Sequence, residues 1–397
     1  MNIDRRTILF GAAAGAALTA TGGVLRIMRS PDASGPWTQV ASEASDFRIG
    51  IFRHAILAPN PHNRQPWQIR LVDEREAVIT CDLDRRLPQT DPFDRQVTIG
   101  FGAFLELAEI TAAEVGYRAE IDVFPGGAPQ PRLDSNPIAH IRFAKDASVL
   151  PDPLFRAIKL RRSTKEPFDL NREVSSEALS AFSALDRGNA RFGATSDPVA
   201  VKALRELAVR AFTLETNTAR TMQESADLLR VGSAEIERNP DGIALRGPLF
   251  EALSIIDADM VRAQAMDPRS MAFKSTLARY ERMFMSTPAF LWLVSKTNTR
   301  ADQIEAGRAY VRANLEATLR GLSLAPVSQA LQEFPEMQHE YRLVHTLLGT
   351  TTGECVQMLA RLGYGPQVAP APRWPLEAKF LKAQTSWRKK IPSISAS

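Results

Sequence analysis

Hydrophobic and polar positions in the first part of the chain follow two different periods. Apolar residues recur at helical spacing in residues 42–57 and again in the longer, mostly apolar run 96–115. Four shorter runs have the composition of β-strands and are bounded by turn residues; they are residues 68–72, 77–81, 118–124 and 138–143. The pattern therefore predicts an α+β fold in which the long helix 96–115 is buried.

Residues 146–152 are predicted to form a domain boundary between a first half, 42–148, and a second half, 152–380. The elements predicted in the second half are a helix beginning at 153–160, a long amphipathic helix at 199–229, a central strand at 289–294 and another long helix at 301–322. Gly and Pro are scattered through residues 230–288, and we interpret this stretch as a helical flap.

The two long helices resemble each other at a constant offset of 205 residues. The identical pairs are Ile99 and Ile304, Gly102 and Gly307, Ala108 and Ala313, Ala112 and Ala317, and Gly116 and Gly321. Both helices carry small residues where another backbone could approach closely, and both end at Gly. Five identities between two Ala-rich helices could arise by chance, but the matched order of elements favours an internal duplication. Two copies in one chain would pack like a two-fold dimer around a shared site.

The N-terminus has the pattern of an export signal. Arg5 and Arg6 precede an uncharged, Ala- and Gly-rich run at residues 8–25, which is similar to a twin-arginine signal. We therefore expect residues 1–35 to be a leader, with a candidate cleavage site at 33–35. The protein would then be exported by the twin-arginine translocation machinery and be periplasmic. An uncleaved membrane anchor and a chance basic terminus are the alternatives.

Charge and cysteine content narrow the function classes. The net charge is +4, but residues 1–30 carry four arginines and one acid, so the rest of the chain is close to neutral. The high pI is therefore no sign of nucleic-acid binding. The five histidines show no metal-ligand spacing. Cys81 and Cys355 could form a disulfide after export, although two buried free thiols are favoured. Residues 379–390 hold five basic residues and no acid, and we expect a solvated tail over 381–397, with a membrane-surface role as the alternative.

Residues 58–67 (APNPHNRQPW) form the most informative segment. Its three prolines each lack an N–H and fix φ, and each also restricts the residue before it. The segment must therefore be a stiff loop that holds polar groups at fixed angles, which a plain connector could also be.

A second polar segment lies about a hundred residues further on. Arg161, Ser163 and Lys165 alternate after a predicted helix, and alternation would point all three in one direction. Two cations and a hydroxyl suit a phosphate or an anionic ring edge. A solvated basic turn is the alternative.

Together these segments resemble motifs of the FMN-dependent nitroreductase family. Residues 161–165 resemble its Arg-x-Ser-x-Arg/Lys motif, and residues 58–67 resemble its Ala-Pro-Ser-x-x-Asn-x-Gln-Pro-Trp motif, with Asn60 and Pro61 where many members have small hydroxyl residues. Residues 321–328 resemble the stretch beside the reactive flavin nitrogen, with Ser328 where a Glu is frequent. Residues 361–366 and 372–376 resemble the C-terminal signature.

The resemblance implies a nitroreductase-like fold and an FMN site. Arg161, Lys165 and Arg373 would hold the phosphate and the pyrimidine edge, and Ser163, Asn63 and Gln65 would orient the ring or the ribityl chain. The residues implied to contact FMN are Pro59, Asn60, Pro61, Asn63, Gln65, Arg161, Ser163, Lys165, Pro326, Val327, Ser328, Gln329 and Arg373.

The order of the motifs departs from the family. A typical member has the Arg motif first, whereas here it opens the second half. In the family dimer each FMN lies between the Arg motif of one subunit and the Asn motif of the other. The order thus implies two tandem copies that form an intramolecular pseudo-dimer with one complete site. Such a chain would be a monomer or a weak homodimer.

The resemblance implies an oxidoreductase that transfers a hydride through the flavin to a small electrophilic or aromatic acceptor. No catalytic side chain is expected, because the flavin carries the redox chemistry. The electron donor would be NAD(P)H or, outside the cytoplasm, a periplasmic redox partner. The alternative is a non-catalytic FMN-binding protein with an occluded site, and a further alternative is an exported protein without flavin.

Overall fold

The computed structural model describes residues 32–39 and 46–381. The predicted leader up to residue 31 and the tail from residue 382 lie outside these ranges, as do residues 42–45 of the first predicted helix. The helices of the described residues are α1 (Phe47–Ala55), α2 (Arg95–Glu114), α3 (Ser176–Ala181), α4 (Pro198–Asn217), α5 (Ala219–Asp227), α6 (Gly232–Arg238), α7 (Pro248–Ile256), α8 (Ala258–Met266), α9 (Met271–Met285), α10 (Arg300–Leu319) and α11 (Gln338–Leu347). The longer 3-10 helices are Asp32–Trp37, Pro153–Ala157, Phe182–Leu185 and Leu376–Lys379.

The strands form two four-stranded antiparallel sheets and one short parallel pair. Their bounds are β1 (Trp67–Leu71), β2 (Glu76–Cys81), β3 (Tyr117–Val123), β4 (Ala139–Lys145), β5 (Ala190–Thr195), β6 (Leu229–Val231), β7 (Ile243–Leu245), β8 (Ala289–Ser295), β9 (Ser323–Pro326) and β10 (Cys355–Gly363). The predicted α+β class is confirmed, and so are the four strands predicted in the first part of the chain.

The two large sheets have the same topology. The first has the strand order β1-β2-β4-β3, and the second has the order β5-β8-β10-β9. In chain order, a long helix connects the second strand of each sheet to the third. This helix is α2 between β2 and β3, and α10 between β8 and β9. Each half therefore places one long, largely buried helix beside an antiparallel sheet.

Helices α2 and α10 cross at a pair of glycines. A Cβ on Gly102 would lie 2.1 Å from the carbonyl oxygen of Ile304, and a Cβ on Gly307 would lie 1.9 Å from that of Ile99. Only glycine permits this approach, because any side chain would overlap the opposite backbone. The contact is reciprocal at the offset of 205 residues seen in the sequence, as expected for elements related by a two-fold axis.

Several predicted elements are wrong in detail. The helix predicted at 199–229 is two helices, α4 and α5, because Thr218 has ψ 110° and leaves the helical region. The helix predicted at 153–160 is only the short 3-10 turn Pro153–Ala157. Strand β10 was not predicted. The helical character of residues 230–288 is confirmed by α6 to α9. None of the described helices has the length and apolar character needed to cross a membrane.

Candidate functional site

The loop 58–67 joins α1 to β1 and closes on itself. The Asn60 side chain accepts from the backbone N–H of Gln65 at 2.7 Å and donates to the Ala58 carbonyl at 3.1 Å. His62, Asn63 and Gln65 all have positive φ, between 46° and 53°. These L residues hold a conformation favoured by glycine because the side-chain bonds overdetermine it. The loop is therefore rigid, as its prolines predict.

Gln65 connects this loop to two distant segments. It is fully buried, and its Nε2 donates to the Pro240 carbonyl at 2.8 Å. Its Oε1 accepts from the backbone N–H of Trp374 at 2.9 Å. Its own carbonyl accepts from Nζ of Lys379 at 2.7 Å. The prediction of a solvated basic run from residue 379 is thus wrong for Lys379, which is buried and whose pKa burial lowers to about 7.

Arg373 binds the carbonyl groups at the end of α1. Its Nε donates to the Ile56 carbonyl, and its Nη2 donates to the carbonyls of Leu57 and Ala58. Its Nη1 donates to the Pro372 carbonyl and to the side-chain oxygen of Asn63. All five guanidinium N–H groups therefore have protein acceptors. The last carbonyls of a helix lack intrahelical partners and favour a nearby cation. Arg373 thus fixes the shape of the loop.

Arg161 approaches the same carbonyls but keeps free donors. It is 3% exposed, and one Nη donates to the Leu57 carbonyl at 3.0 Å. Its Nε is buried and has no hydrogen-bond partner among the described residues. Burial lowers the pKa of Arg161 to about 10, and the nearby charge of Arg162 acts in the same direction. A buried donor without an acceptor is costly, so this atom is suited to an anionic ligand.

Arg161, Arg162 and Arg373 surround the indole ring of Trp37. The guanidinium carbons lie 5.6, 4.9 and 5.2 Å from the ring centroid. Burial lowers the pKa of Arg373 well below its usual range, and the charges of Arg161 and Arg162 lower it further. Among the described residues, no carboxylate forms an ion pair with any of the three. Three clustered cations without a carboxylate form a strongly anion-attracting site.

Ser163 and Lys165 lie on the same loop but are exposed, whereas Arg161 and Thr164 are buried. The prediction that alternation points Arg161, Ser163 and Lys165 in one direction does not extend to their burial, since only Arg161 of the three is buried. Lys165 faces His62 across the site. Burial lowers the pKa of His62 to about 4, with the Lys165 charge acting in the same direction, so this imidazole is neutral at neutral pH.

Residues 326–329 lie where β9 ends and a short 3-10 turn begins. Pro326 pairs with Ala360 at the end of β9, and the N–H of Val327 donates to the Leu359 carbonyl at 2.8 Å. Ser328 precedes the turn Gln329–Leu331. Beside them Glu215 is buried, and one of its oxygens accepts from Gln332 at 3.2 Å while the other has no partner.

Burial raises the pKa of Glu215, and the hydrogen bond from Gln332 opposes the rise. The Lys165 charge also opposes it, which places the loop of Arg161 near residues 326–329. The structure thus brings Arg161 and Arg373 directly onto the loop 58–67, with Lys165 between that loop and Gln329. Within the described ranges, neither Pro326 nor Ser328 forms a side-chain hydrogen bond with Asn63 or Gln65, which bond to Pro372 and Pro240.

Two cavities lie outside this cluster. One, of about 480 Å³, is lined by residues from Pro167 to Arg172 and from Tyr364 to Pro366, next to the end of the Arg161 loop. The other, of about 370 Å³, lies between α2 and β3 near Arg312. None of the residues proposed to contact a cofactor lines either cavity, so the geometry of the arginines is the stronger guide to the site.

Three residues near the cluster were not predicted. Trp37 belongs to a short segment beside the leader, Lys379 was assigned to the tail, and Glu215 was read only as part of an amphipathic helix. Trp37 alone carried a signal, since a Trp in an otherwise polar segment is often buried. Cys81 and Cys355 are both buried and unpaired, as the favoured alternative predicted.

Comparison with known proteins gives relatives that match most of the chain. No family model matches the chain. The Mycobacterium tuberculosis H37Rv "Uncharacterized protein Rv3127" is 25% identical over 356 residues, covering 84% of this chain and 94% of the relative. "Putative NAD(P)H nitroreductase Rv3131" of the same strain is 23% identical over 328 residues, covering 80% of this chain and 86% of the relative.

Solved structures of smaller proteins match part of the chain. The FMN-dependent nitroreductase NfnB of Mycobacterium smegmatis, in complex with NADPH, is 18% identical and covers 58% of this chain and 97% of its own, with a TM-score of 0.35. A Bacteroides fragilis nitroreductase with bound FMN is 15% identical and covers 62% and 100%, with a TM-score of 0.31. The chain is therefore similar over most of its length to a relative named as a nitroreductase, in agreement with its motifs.

Proposed function

We propose that the protein is an FMN-dependent, nitroreductase-like oxidoreductase whose cofactor binds between the loop 58–67 and the loop that starts at Arg161. The observation that carries the proposal is the cluster of Arg161, Arg162 and Arg373, which has no carboxylate partner among the described residues. A phosphate group would supply the missing negative charge. The nitroreductase name of the relative and the FMN in the solved structures support this choice of anion.

The residues present fit a phosphate-bearing cofactor. Arg161 has an unpartnered buried Nε, and guanidinium groups bind phosphate through paired N–H donors. The side chains of Asn60, Asn63 and Gln65 are engaged within the protein. These amides would therefore hold the loop in shape, and backbone groups of Pro59 and Pro61 would face the cofactor.

Separate roles follow for the three cationic positions. Arg161 would bind the phosphate directly, while Arg373 would act through charge and by fixing the loop, since its N–H groups are all engaged. Lys165 and Ser163 are exposed and would contact the ring edge. When bound, FMN would supply reversible hydride transfer, and cations near its pyrimidine edge favour the reduced, anionic form. Pro326 to Gln329 would line the ring.

The relatives support a proposal for the electron donor, and the acceptor is proposed from the family resemblance. One solved structure contains NADPH, and the relative is named for NAD(P)H, which supports a nicotinamide donor. A small electrophilic or aromatic molecule would be the acceptor. Export would separate the protein from nicotinamides, and a periplasmic redox partner would then replace them.

A second candidate function is non-catalytic FMN binding. Pro240, at the edge of the α6–α9 segment, accepts directly from Gln65, and the neighbouring Asp241 pairs with Arg64 of the loop at 3.0 Å. This segment therefore covers the loop, as a flap that limits substrate access would.

We also propose that the two halves arose by duplication and form a pseudo-dimer. The identical strand orders and the reciprocal crossing at Gly102 and Gly307 support this proposal. Such a pair completes its site within one chain, so sedimentation analysis should give a monomer or a weak dimer. A dimer that persists at nanomolar concentration would contradict it.

The twin-arginine pattern supports export to the periplasm. Replacing Arg5 and Arg6 by Lys should keep the protein in the cytoplasmic fraction, because the pair is the recognised feature of such signals. Equal periplasmic amounts of wild type and variant would contradict this proposal.

The two candidate functions differ in turnover. Purified protein should be yellow or become so with FMN, and it should then oxidise NADPH in the presence of a quinone or nitroaromatic acceptor. FMN uptake without any turnover would favour the binding protein. A colourless protein that takes up no added FMN would contradict both.

A further inference from the structure

Trp37 lies at the centre of the unpaired arginines, although it is not part of the motifs above. It is 5% exposed, and its Nε1 donates to the Ala371 carbonyl at 2.8 Å. The 3-10 helix Asp32–Trp37 lies against α6, and Lys159 donates to the carbonyl of Gln39 just beyond it. The indole is therefore fixed by its own hydrogen bond, and the segment that carries it is anchored on both sides of Trp37.

The three guanidinium groups repel one another, and burial leaves little water to screen them. Burial lowers the pKa of Arg161 and of Arg373, and the charges of the neighbouring arginines act in the same direction. A carboxylate would relieve it, but a carboxylate would also occupy the donors and repel an incoming anion. An aromatic face reduces the repulsion among the guanidinium groups in a different way, because the ring quadrupole attracts cations and carries no net charge.

We propose that Trp37 is a positioning residue that holds Arg161, Arg162 and Arg373 assembled for a phosphate group without neutralising them. The proposal rests on the proposed function only in naming FMN as the phosphate carrier. Trp37 acts through the arginines, so its effect should depend on whether the ligand has a phosphate. A purely structural role for Trp37 would affect all flavins alike.

The test compares Trp37→Leu with Trp37→Phe in the purified full chain. Leu removes the aromatic face, whereas Phe keeps it and loses only the Nε1 hydrogen bond. Flavin fluorescence gives the affinities for FMN and for riboflavin, which lacks the phosphate. Trp37→Leu should weaken FMN binding about tenfold and riboflavin binding by less than about twofold, while Trp37→Phe should stay within about threefold of wild type.

Equal losses for FMN and riboflavin in Trp37→Leu would overturn the proposal, as would unchanged FMN affinity. Tighter FMN binding would also overturn it, because Trp37 would then compete with the phosphate. Inorganic phosphate provides a probe that needs no flavin. Phosphate should raise the Tm of wild type and Trp37→Phe more than that of Trp37→Leu, each measured against its own phosphate-free baseline.

The phosphate measurement separates the two proposals. If wild type takes up no flavin but shows the expected difference in phosphate-dependent Tm, FMN binding is wrong and the role of Trp37 stands. If phosphate raises the Tm of all three proteins equally, or of none, the role of Trp37 is wrong whatever the flavin result.

Discussion

Two clusters of arginines flank the loop 58–67, and they differ in what faces their charge. On one side Arg64, Arg85 and Arg230 converge on Asp241, with N–O distances of 3.0, 2.8 and 2.9 Å. On the other side Arg161, Arg162 and Arg373 converge on the uncharged ring of Trp37. The residue type is the same and both clusters are largely buried.

The difference in carboxylate partners distinguishes a cluster that stabilises the fold from a cluster that is available to an anion. A buried cation paired with a carboxylate has its charge satisfied within the fold, and it holds segments together. Here Asp241 ties the α6–α9 segment to the loop. A buried cation without a carboxylate has its charge unsatisfied until an anion arrives. The presence or absence of a carboxylate partner, and not the number of arginines, therefore distinguishes the structural cluster from the one proposed to bind an anion.

Removing Asp241 should have the largest effect on stability. Asp241→Ala leaves three largely buried guanidinium groups without their shared carboxylate, which typically costs about 3–5 kcal/mol. Urea unfolding measures the free energy of unfolding. Asp267→Ala, at a solvent-screened pair with Arg269, is the matched control and should change the free energy of unfolding far less than Asp241→Ala does. Similar losses for both variants would mean that the Asp241 cluster is not a structural centre.

Arg161→Ala should weaken FMN binding by about a hundredfold, because it removes a charge-assisted donor from a desolvated site. Its free energy of unfolding should change little or rise, since the loss of one unpaired buried charge relieves repulsion. Arg230→Ala removes one cation from the paired cluster and is the control. Isothermal titration gives the affinities. If Arg230→Ala lowers FMN affinity as much as Arg161→Ala, the distinction between the clusters fails.

Gly102→Ala should destabilise the contact between the two halves by about 1–3 kcal/mol, because its Cβ would overlap the Ile304 carbonyl. FMN affinity should fall as well, since α2 also packs under Asn60. Gly126→Ala is the control, as nothing lies within 4 Å of its Cβ position. Thermal unfolding of both variants gives the comparison. Wild-type stability for Gly102→Ala would show that the helices do not cross this closely.

Lys379 predicts a pH dependence of stability. Burial lowers its pKa from 10.5 to about 7, so above pH 7 the folded state releases a proton that the unfolded chain keeps until about pH 10.5. Stability should therefore rise with pH within this window, by at most about 1.4 kcal/mol per pH unit, and be independent of this group below pH 7. Urea unfolding from pH 6 to 9 tests the slope. In Lys379→Met the rise in the free energy of unfolding that is due to Lys379 should be absent. An identical slope in the variant would contradict the attribution of this pH dependence to Lys379.

Much of the first half could be predicted from sequence because its strands alternate in burial. The strand Tyr117–Val123 alternates strictly between partly buried and exposed residues, which is the strand period. By contrast, β10 is buried at eight of its nine positions, including Gln357 and Arg361, so its sequence shows no alternation. Thr218 interrupts a helical pattern whose periodicity continues through it, and local sequence gives no sign of the break.

The site could be predicted only in part, because some of its contacts are fixed by local sequence and others only by tertiary packing. The loop 58–67 is fixed by its own prolines and side-chain hydrogen bonds, so its rigidity can be predicted from the sequence. The proximity of Arg161 and Arg373 to it was implied by resemblance, and the structure places both there; their contact with a cofactor stays a prediction. The burial of Trp37 could be anticipated, but its place among the arginines could not, because its partner Ala371 is 334 residues away and only tertiary packing joins them.

The central claim is that the unpaired arginine cluster binds the phosphate of a flavin. Titration of the wild-type protein with FMN and with riboflavin tests it most directly, since the two ligands differ only in that phosphate. The account predicts that FMN binds about a hundredfold more tightly than riboflavin and that the difference shrinks with added salt. Equal affinities for the two flavins, or no binding of FMN, would contradict it.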